Sequence, residues 1–278
     1  MNQAEQVEAK VAAGPLDLRL SLTFLPVEQR AAQAALHAVY LELREVPREA
    51  RDPGVADVKL RWWEEEFSML YAGKARHPLT QALTPYMPAL KGRQATFLDL
   101  ITGTRMDIAG AGLESFEDVK RYCYRHSGAL AELSALLGGA GSEEALLSAR
   151  LMGNASCIAG IAARGVADAL QGRLFFAAED LRLHGVDKHI HTGTQADDSV
   201  QALVQDYGDR AQAMRAAAVQ SIPKGERRAL TAWQVRSALA LKRAHKQERL
   251  GSRRAAEPVE LSPLSALFTA WNAARKTK

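Results

Sequence analysis

The stretch LHAVYLELREVPREARD, residues 36–52, decides how the chain is interpreted, because it joins an apolar helical repeat to a cluster of charges. Ala, Leu and Val recur at helical spacing from Pro26 to about Arg44, which predicts a helix over that range. Pro47 lacks an amide hydrogen and disfavours the helical turn before it, so the pattern predicts an interruption there. The charges of interest lie at Arg44, Glu45 and Arg48.

Outward from this stretch, helical periodicity recurs along the whole chain. The 278 residues are 47% apolar and only 6% aromatic, with much alanine and leucine, a composition that favours helices over sheet. Asp52-Pro53-Gly54 predicts a turn, and Ser142 predicts the cap of a long helix. In the helix predicted between them, over 55–71, one face holds the apolar residues Leu60, Trp63, Phe67 and Leu70. We find no internal repeat and no Gly/Ser linker. The sequence therefore predicts one all-α domain over residues 15–278, preceded by a flexible polar segment at residues 1–14.

The cysteines and the N-terminus indicate the compartment. Two cysteines, Cys123 and Cys157, fit a reducing environment and form no disulfide framework. The segment MNQAEQVEAK has the pattern of neither a signal peptide nor a transit peptide, and no uncharged apolar run reaches about 20 residues. We expect a cytoplasmic bacterial protein that is not secreted, has no transmembrane span, and contacts the inner membrane at most peripherally.

Seven segments, in order, resemble the squalene/phytoene synthase family: LHAVY (36–40), KLRWWEEEF (59–67), HPL (77–79), DLITGTRMDI (99–108), DVKRYCYRHSGALAEL (118–133), LMGNA (151–155) and GRLFFAAEDL (172–181). The resemblance implies an isoprenoid synthase-type helical bundle around a deep apolar cavity. It also implies descent from enzymes that join two prenyl diphosphates head to head. In active members, two Asp-rich helices face each other at the cavity mouth and hold Mg²⁺ on the diphosphates.

Both Asp-rich motifs are altered in this chain. The resemblance places acids of the first motif at positions that hold Arg44, Glu45 and Arg48. It places the paired acids of the second motif at Arg164 and Asp168. Each motif thus keeps one carboxylate and gains arginine, whose charge repels divalent cations.

The remaining family positions bear on a cofactor. Asp107 and Arg173 match a family acid and a family arginine. Because Mg²⁺ requires several hard oxygen ligands, we expect no cofactor. If the chain is an active prenyltransferase, the resemblance implies that Mg²⁺ is held by Glu45, Asp107 and Asp168, with Arg164 and Arg173 on the diphosphate.

The arginines suggest a second use of the site. Guanidinium groups bind phosphate through paired hydrogen bonds, so they are candidates to hold a diphosphate or a lipid headgroup without metal. The candidate anion-binding residues are Arg44, Arg48, Arg164 and Arg173. The alternative is a solvated surface, or salt bridges to Glu42, Glu45 and Glu49.

A branch of the family looks closer. Three segments resemble the squalene/phytoene synthase-like assembly factor of mitochondrial respiratory complex I, namely residues 41–71, LRLHGVD (181–187) and LSPLSALFTAWNAARKTK (261–278). That branch also lacks the Asp motifs and is regarded as non-catalytic. Our first hypothesis is a non-catalytic protein that binds an isoprenoid or lipid and assists assembly. The alternative is an active squalene- or phytoene-synthase-like prenyltransferase.

Residues 224–254 carry ten lysines and arginines against two glutamates. Such a segment could contact an anionic membrane surface or an acidic protein, or could be an ordinary surface helix. Nucleic acid is disfavoured because few aromatic residues are interleaved.

Two further clusters have weaker functional signals. His184, His189 and His191 form a candidate metal cluster without cysteine or acid at ligand spacing, so exposed loop histidines are the default interpretation. Of the run Glu64 to Glu66, we expect at least two members on a solvated face, because neighbouring helical residues point in different directions.

Overall fold

The computed structural model describes the chain except residues 1, 51, 111, 188–197, 252–256, 258 and 278. The described residues form α-helices, short 3₁₀ segments and turns, without a β-strand, which confirms the all-α class. The helices are α1 (Gln3–Ala12), α2 (Leu16–Thr23), α3 (Val27–Glu49), α4 (Pro53–Tyr71), α5 (Pro78–Leu83), α6 (Gln94–Ala109), α7 (Phe116–Cys123), α8 (Ala129–Leu137), α9 (Glu143–Leu170), α10 (Ala178–Leu183), α11 (Asp198–Ser221), α12 (Thr231–Leu250) and α13 (Pro263–Arg275).

The predicted interruption at Pro47 is wrong, because α3 continues through it to Glu49. Proline removes one amide donor, but the last turn is closed by the amide of Ala50, which donates to the carbonyl of Val46 at 3.0 Å. The chain then re-enters a helix at once. Asp52 caps α4 by accepting from the amides of the next residues, so the predicted turn at 52–54 is a helix start.

The N-terminal segment, predicted as flexible, instead contains helix α1. Asn2 and Glu5 form a capping box, in which each side chain accepts from the backbone amide of the other. Val7 is buried in the main core, and Lys10 pairs with both Glu42 and Glu45 of α3. The polar composition of the segment gave no sign of this helix. The contacts that stabilise it are made with α3, which lies far along the chain.

The core follows the predicted apolar faces. The sequence pattern places Leu60, Trp63, Phe67 and Leu70 on one face of α4, and all four are buried. Helix α9 begins after Ser142 as expected and packs against α11 and α12. It is the one helix among the described residues that is long and apolar enough to cross a membrane, and most of its apolar window is buried inside the bundle.

A π-helical turn, residues 124–128, joins α7 to α8 without a break in the helical path. The amide of Ala129 donates to the carbonyl of Tyr124, which is the i to i+5 pattern of a π-helix. Gly153 of α9 lies directly against this turn. A Cβ atom built on Gly153 would stand 2.5 Å from the carbonyl oxygen of Ser127 and 2.7 Å from the Cα of Gly128. The close approach holds the turn, and with it His126, in place.

We expect Gly153→Ala to lower the free energy of unfolding by about 1–3 kcal/mol, because backbone must move to admit the methyl group. Gly160→Ala, on the same helix, is the matched control, since a Cβ atom there meets nothing within 4 Å. The control should be neutral or slightly stabilising through helix propensity. Urea unfolding of both variants measures the difference, and equal stabilities would contradict the close packing.

Candidate functional site

The site is built around an ion pair between two helices. Arg44 of α3 donates through Nη1 to Oδ2 of Asp107 on α6. The side chains are 25% and 10% exposed, so the pair is largely shielded from solvent. Salt bridges of the arginines to Glu42, Glu45 and Glu49 were one alternative to anion binding. Arg44 pairs with Asp107 instead, and Lys10 and Lys59 pair with those glutamates.

Three more side chains complete what we call the Arg44–Asp107 cluster. The hydroxyl of Tyr122 donates to Oδ1 of Asp107 at 2.7 Å. Nε2 of His126 lies 4.0 Å from Oδ2 of the same carboxylate. The hydroxyl of Tyr40 donates to the carbonyl oxygen of His126 at 2.9 Å. The π-helical turn therefore carries His126 into contact with groups from α3, α6 and α7.

The charges of the cluster are fixed by its surroundings. Burial raises the pKa of Asp107, but the charge of Arg44 and the hydrogen bonds from Arg44 and Tyr122 outweigh it and hold that pKa below its ordinary value. Burial and the neighbouring guanidinium lower the pKa of His126 to about 3. Burial also raises the pKa of Tyr40 to about 12. At neutral pH the cluster therefore contains one cation and one anion, with its histidine and tyrosines uncharged.

The other two predicted acids lie elsewhere. Glu45 points to Lys10 of α1. Asp168, in the last turn of α9, pairs with Arg173 at 2.6 Å between Oδ1 and Nη2. Across the described part of the chain, no three or more His, Cys, Asp or Glu side chains come together as a metal-binding group. Mg²⁺ does not fit this donor set, because the oxygens of Asp107 are occupied by a cation and a hydroxyl.

Two of the four predicted anion-binding arginines are thus neutralised by carboxylates, namely Arg44 and Arg173. Arg48 and Arg164 are exposed and form no ion pair with any residue in the described ranges. Anion binding by these two arginines stays a prediction.

Sequence reasoning missed Tyr40, Tyr122 and His126. All three lie in segments that carry the family resemblance, LHAVY and DVKRYCYRHSGALAEL. A polar aromatic residue that falls on an otherwise apolar helix face was the available signal, because such a residue needs a buried partner.

The acidic run after Trp63 behaves as predicted at two positions. Glu64 pairs with Arg105 and Glu65 is exposed, so both lie on a solvated face. Glu66 is fully buried and accepts from the amides of Arg76 and His77. Its contacts tie α4 to the start of α5, which is a structural role.

The histidine and cysteine candidates remain without a ligand role. His189 and His191 lie outside the described residues. Nε2 of His184 is 3.3 Å from Oδ2 of Asp206. Cys123 is buried and Cys157 half-buried, and both are free thiols. Free cysteines in such settings usually behave as small apolar residues.

The basic segment is largely engaged within the fold. Arg236 and Arg243 both approach Asp17 of α2, at 3.8 and 3.4 Å. Lys242 donates to Thr269, and Lys246 donates to the carbonyl of Glu260. Arg253 and Arg254 lie outside the described residues. Much of α12 is thus an interior helix, so the cationic surface available for partners is smaller than its sequence suggests.

The centre of the bundle is polar in one region. The guanidinium of Arg236 lies 4.5 Å over the ring of Trp233, and its charge helps lower the pKa of His37 to about 3, after burial. Nδ1 of His37 donates to the carbonyl of Gln33 at 2.8 Å. Among the described residues, His37 Nε2, Trp233 Nε1 and Arg236 Nε are buried without a hydrogen-bond partner. Buried groups of this kind usually require a water or a ligand.

Comparison with known proteins accords with this fold. The model of the family described as Squalene/phytoene synthase matches residues 17–264. The bifunctional protein CrtB/UppS of Streptomyces coelicolor is 29% identical over 188 residues, which are 66% of this chain and 33% of that protein. The 15-cis-phytoene synthase of Synechococcus elongatus is 26% identical over 196 residues, which are 65% of this chain and 64% of that protein. The chain thus spans less than two thirds of either relative.

Solved structures extend the likeness over the full chain. A dehydrosqualene synthase superposes with a TM-score of 0.82 at 17% identity, covering 99% of this chain and 96% of that one. The squalene synthase HpnC from Alicyclobacillus acidocaldarius superposes with a TM-score of 0.66 at 22% identity, covering 99% and 94%. These superpositions confirm the predicted isoprenoid synthase fold.

Proposed function

Since the chain belongs to the squalene/phytoene synthase family, we propose that it is a non-catalytic member that binds an isoprenoid or another lipid. In this proposal it acts as an accessory or assembly factor, and respiratory complex I is the first assembly to examine. The observation that carries the proposal is the ion pair of Arg44 with Asp107. A fixed guanidinium occupies the carboxylate that a diphosphate-bound metal would need.

The dispersal of the acids supports the same conclusion. Glu45 is held by Lys10, and Asp168 by Arg173. Ionising an allylic diphosphate requires concentrated positive charge on the leaving group, which metal ions supply in this class of reaction. Side chains that are each neutralised by a separate partner do not assemble such a centre.

The unpaired polar groups inside the bundle support ligand binding. His37, Trp233 and Arg236 each keep a buried nitrogen without a hydrogen-bond partner among the described residues. A lipid whose polar end reached this region would satisfy those nitrogens while its chain lay among the surrounding apolar side chains. The ligand would then be held without metal.

An active prenyltransferase is the second candidate, because relatives such as the 15-cis-phytoene synthase of Synechococcus elongatus bear the names of enzymes. In that case Glu45, Asp107 and Asp168 would hold Mg²⁺, with Arg164 and Arg173 on the diphosphate. Opening of the Arg44–Asp107 pair on substrate binding would be required first.

Pyrophosphate release separates the two candidates. Purified protein is incubated with farnesyl or geranylgeranyl diphosphate, with and without Mg²⁺, after circular dichroism has shown that it is folded. We expect no release above the protein-free reaction. Mg²⁺-dependent release that disappears in Asp168→Ala would establish a divergent synthase. Mass spectrometry of organic extracts from the purified protein then tests for the bound lipid.

A further inference from the structure

Helix α13 has two apolar faces, and only one of them is packed. Its small residues Ala266 and Ala270 are buried against Val235 and Leu239 of α12 and neighbouring groups. Its large residues point outward at the i, i+3, i+4, i+7 spacing of a single helix face. We call these the outward stripe: Leu264, Leu267, Phe268 and Trp271, which are 80%, 46%, 62% and 45% exposed. A surface helix normally reverses this arrangement and turns its large apolar residues inward.

A groove with arginine-rich walls adjoins the stripe. A cavity of about 530 Å³ opens between the turn that joins α2 to α3 and the C-terminal half of α13. Trp271 belongs to both the stripe and the groove. The ionisable residues that line the groove are Arg30, Arg228 and Arg275, and none of the lining residues is acidic. Arg275 lies 4.9 Å over the ring of Trp271, which places a cation at the edge of the apolar surface.

We propose that this surface docks on an anionic lipid bilayer, with the outward stripe entering the interface and Arg228 and Arg275 contacting lipid phosphates. Arg30 lies in the same groove but donates to the carbonyls of Thr23 and Leu25. Four large side chains on one 13-residue helix, two of them aromatic, match the apolar face of a helix that lies in the plane of a membrane. Arginine at the border of such a face contacts phosphate through paired hydrogen bonds. The net charge of +4 favours approach to an anionic surface.

Charge distinguishes the bilayer from a second copy of this chain. A symmetric dimer through this face would bring Arg228 and Arg275 of both copies together across an acid-free groove, and like charges would oppose association. An acidic protein would pair with the arginines, but it would also need an apolar pocket shaped to receive Phe268. Nothing in the outward stripe selects a partner with such a pocket. The bilayer satisfies both features without a specific shape.

The surface is remote from the Arg44–Asp107 cluster. Arg30 and Arg44 lie on the same helix, α3, fourteen residues apart, which is about 21 Å along the axis. Docking through α13 therefore holds whether or not the chain turns over a substrate, and the two proposals fail separately.

Flotation with vesicles of phosphatidylglycerol, compared with vesicles of phosphatidylcholine, tests the proposal on the full chain. We expect binding to the anionic vesicles, weakened at least tenfold in the double variant Leu264→Ser with Phe268→Ser. Val58→Ser with Leu183→Ser is the matched control, because those side chains are equally exposed at 65% and 75% on α4 and α10. Wild-type protein that stays unbound, or a stripe variant that binds like wild type, overturns the proposal.

The charge contribution has its own variants. Arg228→Gln with Arg275→Gln should weaken binding roughly 25-fold, from about fivefold per cation near the surface. Lys91→Gln with Arg121→Gln makes the same change in net charge at exposed positions away from the groove and should bind like wild type. If both pairs of substitutions weaken vesicle binding equally, the effect is one of net charge alone, and the proposed phosphate contacts of the groove are overturned.

Fluorescence gives the depth of insertion. Brominated phosphatidylglycerol should quench Trp271, and Trp271→Phe should lose that quenching while the protein still floats with the vesicles. Unquenched wild-type fluorescence in bound protein contradicts insertion of the stripe. A dimer in solution that dissociates in the stripe variant, without vesicle binding, assigns the face to a second copy instead. Salt-sensitive binding of the stripe to an acidic protein, again without vesicle binding, assigns it to that partner.

Discussion

Arg44→Ala is expected to lower the free energy of unfolding by about 3–5 kcal/mol, because it leaves the 10%-exposed carboxylate of Asp107 without its cation. The charge-assisted bond from Arg44 also offsets the burial that otherwise raises the pKa of Asp107. Without it the carboxylate must either stay charged in a poorly solvated position or take up a proton. The melting temperature should fall by roughly 10 °C.

Arg48→Ala is the control, one turn further along α3. Arg48 is exposed and has no ion pair within the described ranges, so its removal should change stability by less than about 0.5 kcal/mol. A double-mutant cycle with Asp107→Asn then isolates the coupling of the pair. Equal effects of the two arginine substitutions, or additivity in the cycle, would show that the ion pair contributes nothing to stability.

Acidification from pH 7 to pH 5 should cost about 2 kcal/mol of stability for each of two buried histidines, His37 and His126. Both have a pKa lowered to about 3, with burial as the leading cause, against an ordinary value of 6.5. Between pH 6.5 and 3 the unfolded chain binds these protons and the folded chain does not. Stability therefore rises with pH across that window and falls as the solution is acidified.

Urea unfolding at pH 7 and pH 5 measures this loss, and variants assign it. His37→Gln and His126→Gln should each remove about half of the acid sensitivity, and the double variant most of it. A double variant as acid-sensitive as wild type would locate the effect in other groups. Because each histidine is uncharged in the folded protein, the variants should fold at pH 7, where the comparison starts.

Local sequence patterns predicted much of the helical fold. The apolar repeat in α4 and the serine before α9 locate those helices because spacing and capping act within a few residues. Helix α1 and the passage of α3 through Pro47 could not be predicted in the same way. Both depend on contacts with distant segments, and Lys10 finds its acids more than 30 residues further along the chain.

The candidate site was only partly predictable for the same reason. The family resemblance identified Arg44 and Asp107 as separate site positions. Their pairing joins two residues that lie 63 positions apart in the sequence, on α3 and α6. From the sequence alone, the nearby glutamates Glu42, Glu45 and Glu49 were one alternative set of partners for the arginines. Those glutamates pair with Lys10 and Lys59 instead. Which charges pair depends on which side chains the fold brings together, and the order of residues in the sequence does not give this.

The π-helical turn at residues 124–128 contains one more residue than an α-helical turn would need. Deleting one residue there would restore a regular helix and rotate everything beyond it by about 100°. His126 would then leave the neighbourhood of Asp107, and the glycine contact with α9 would be lost as well. The extra residue thus sets which faces of α8 and the following helices meet the core. We expect a one-residue deletion here to destabilise the protein far more than an equal deletion in a surface loop.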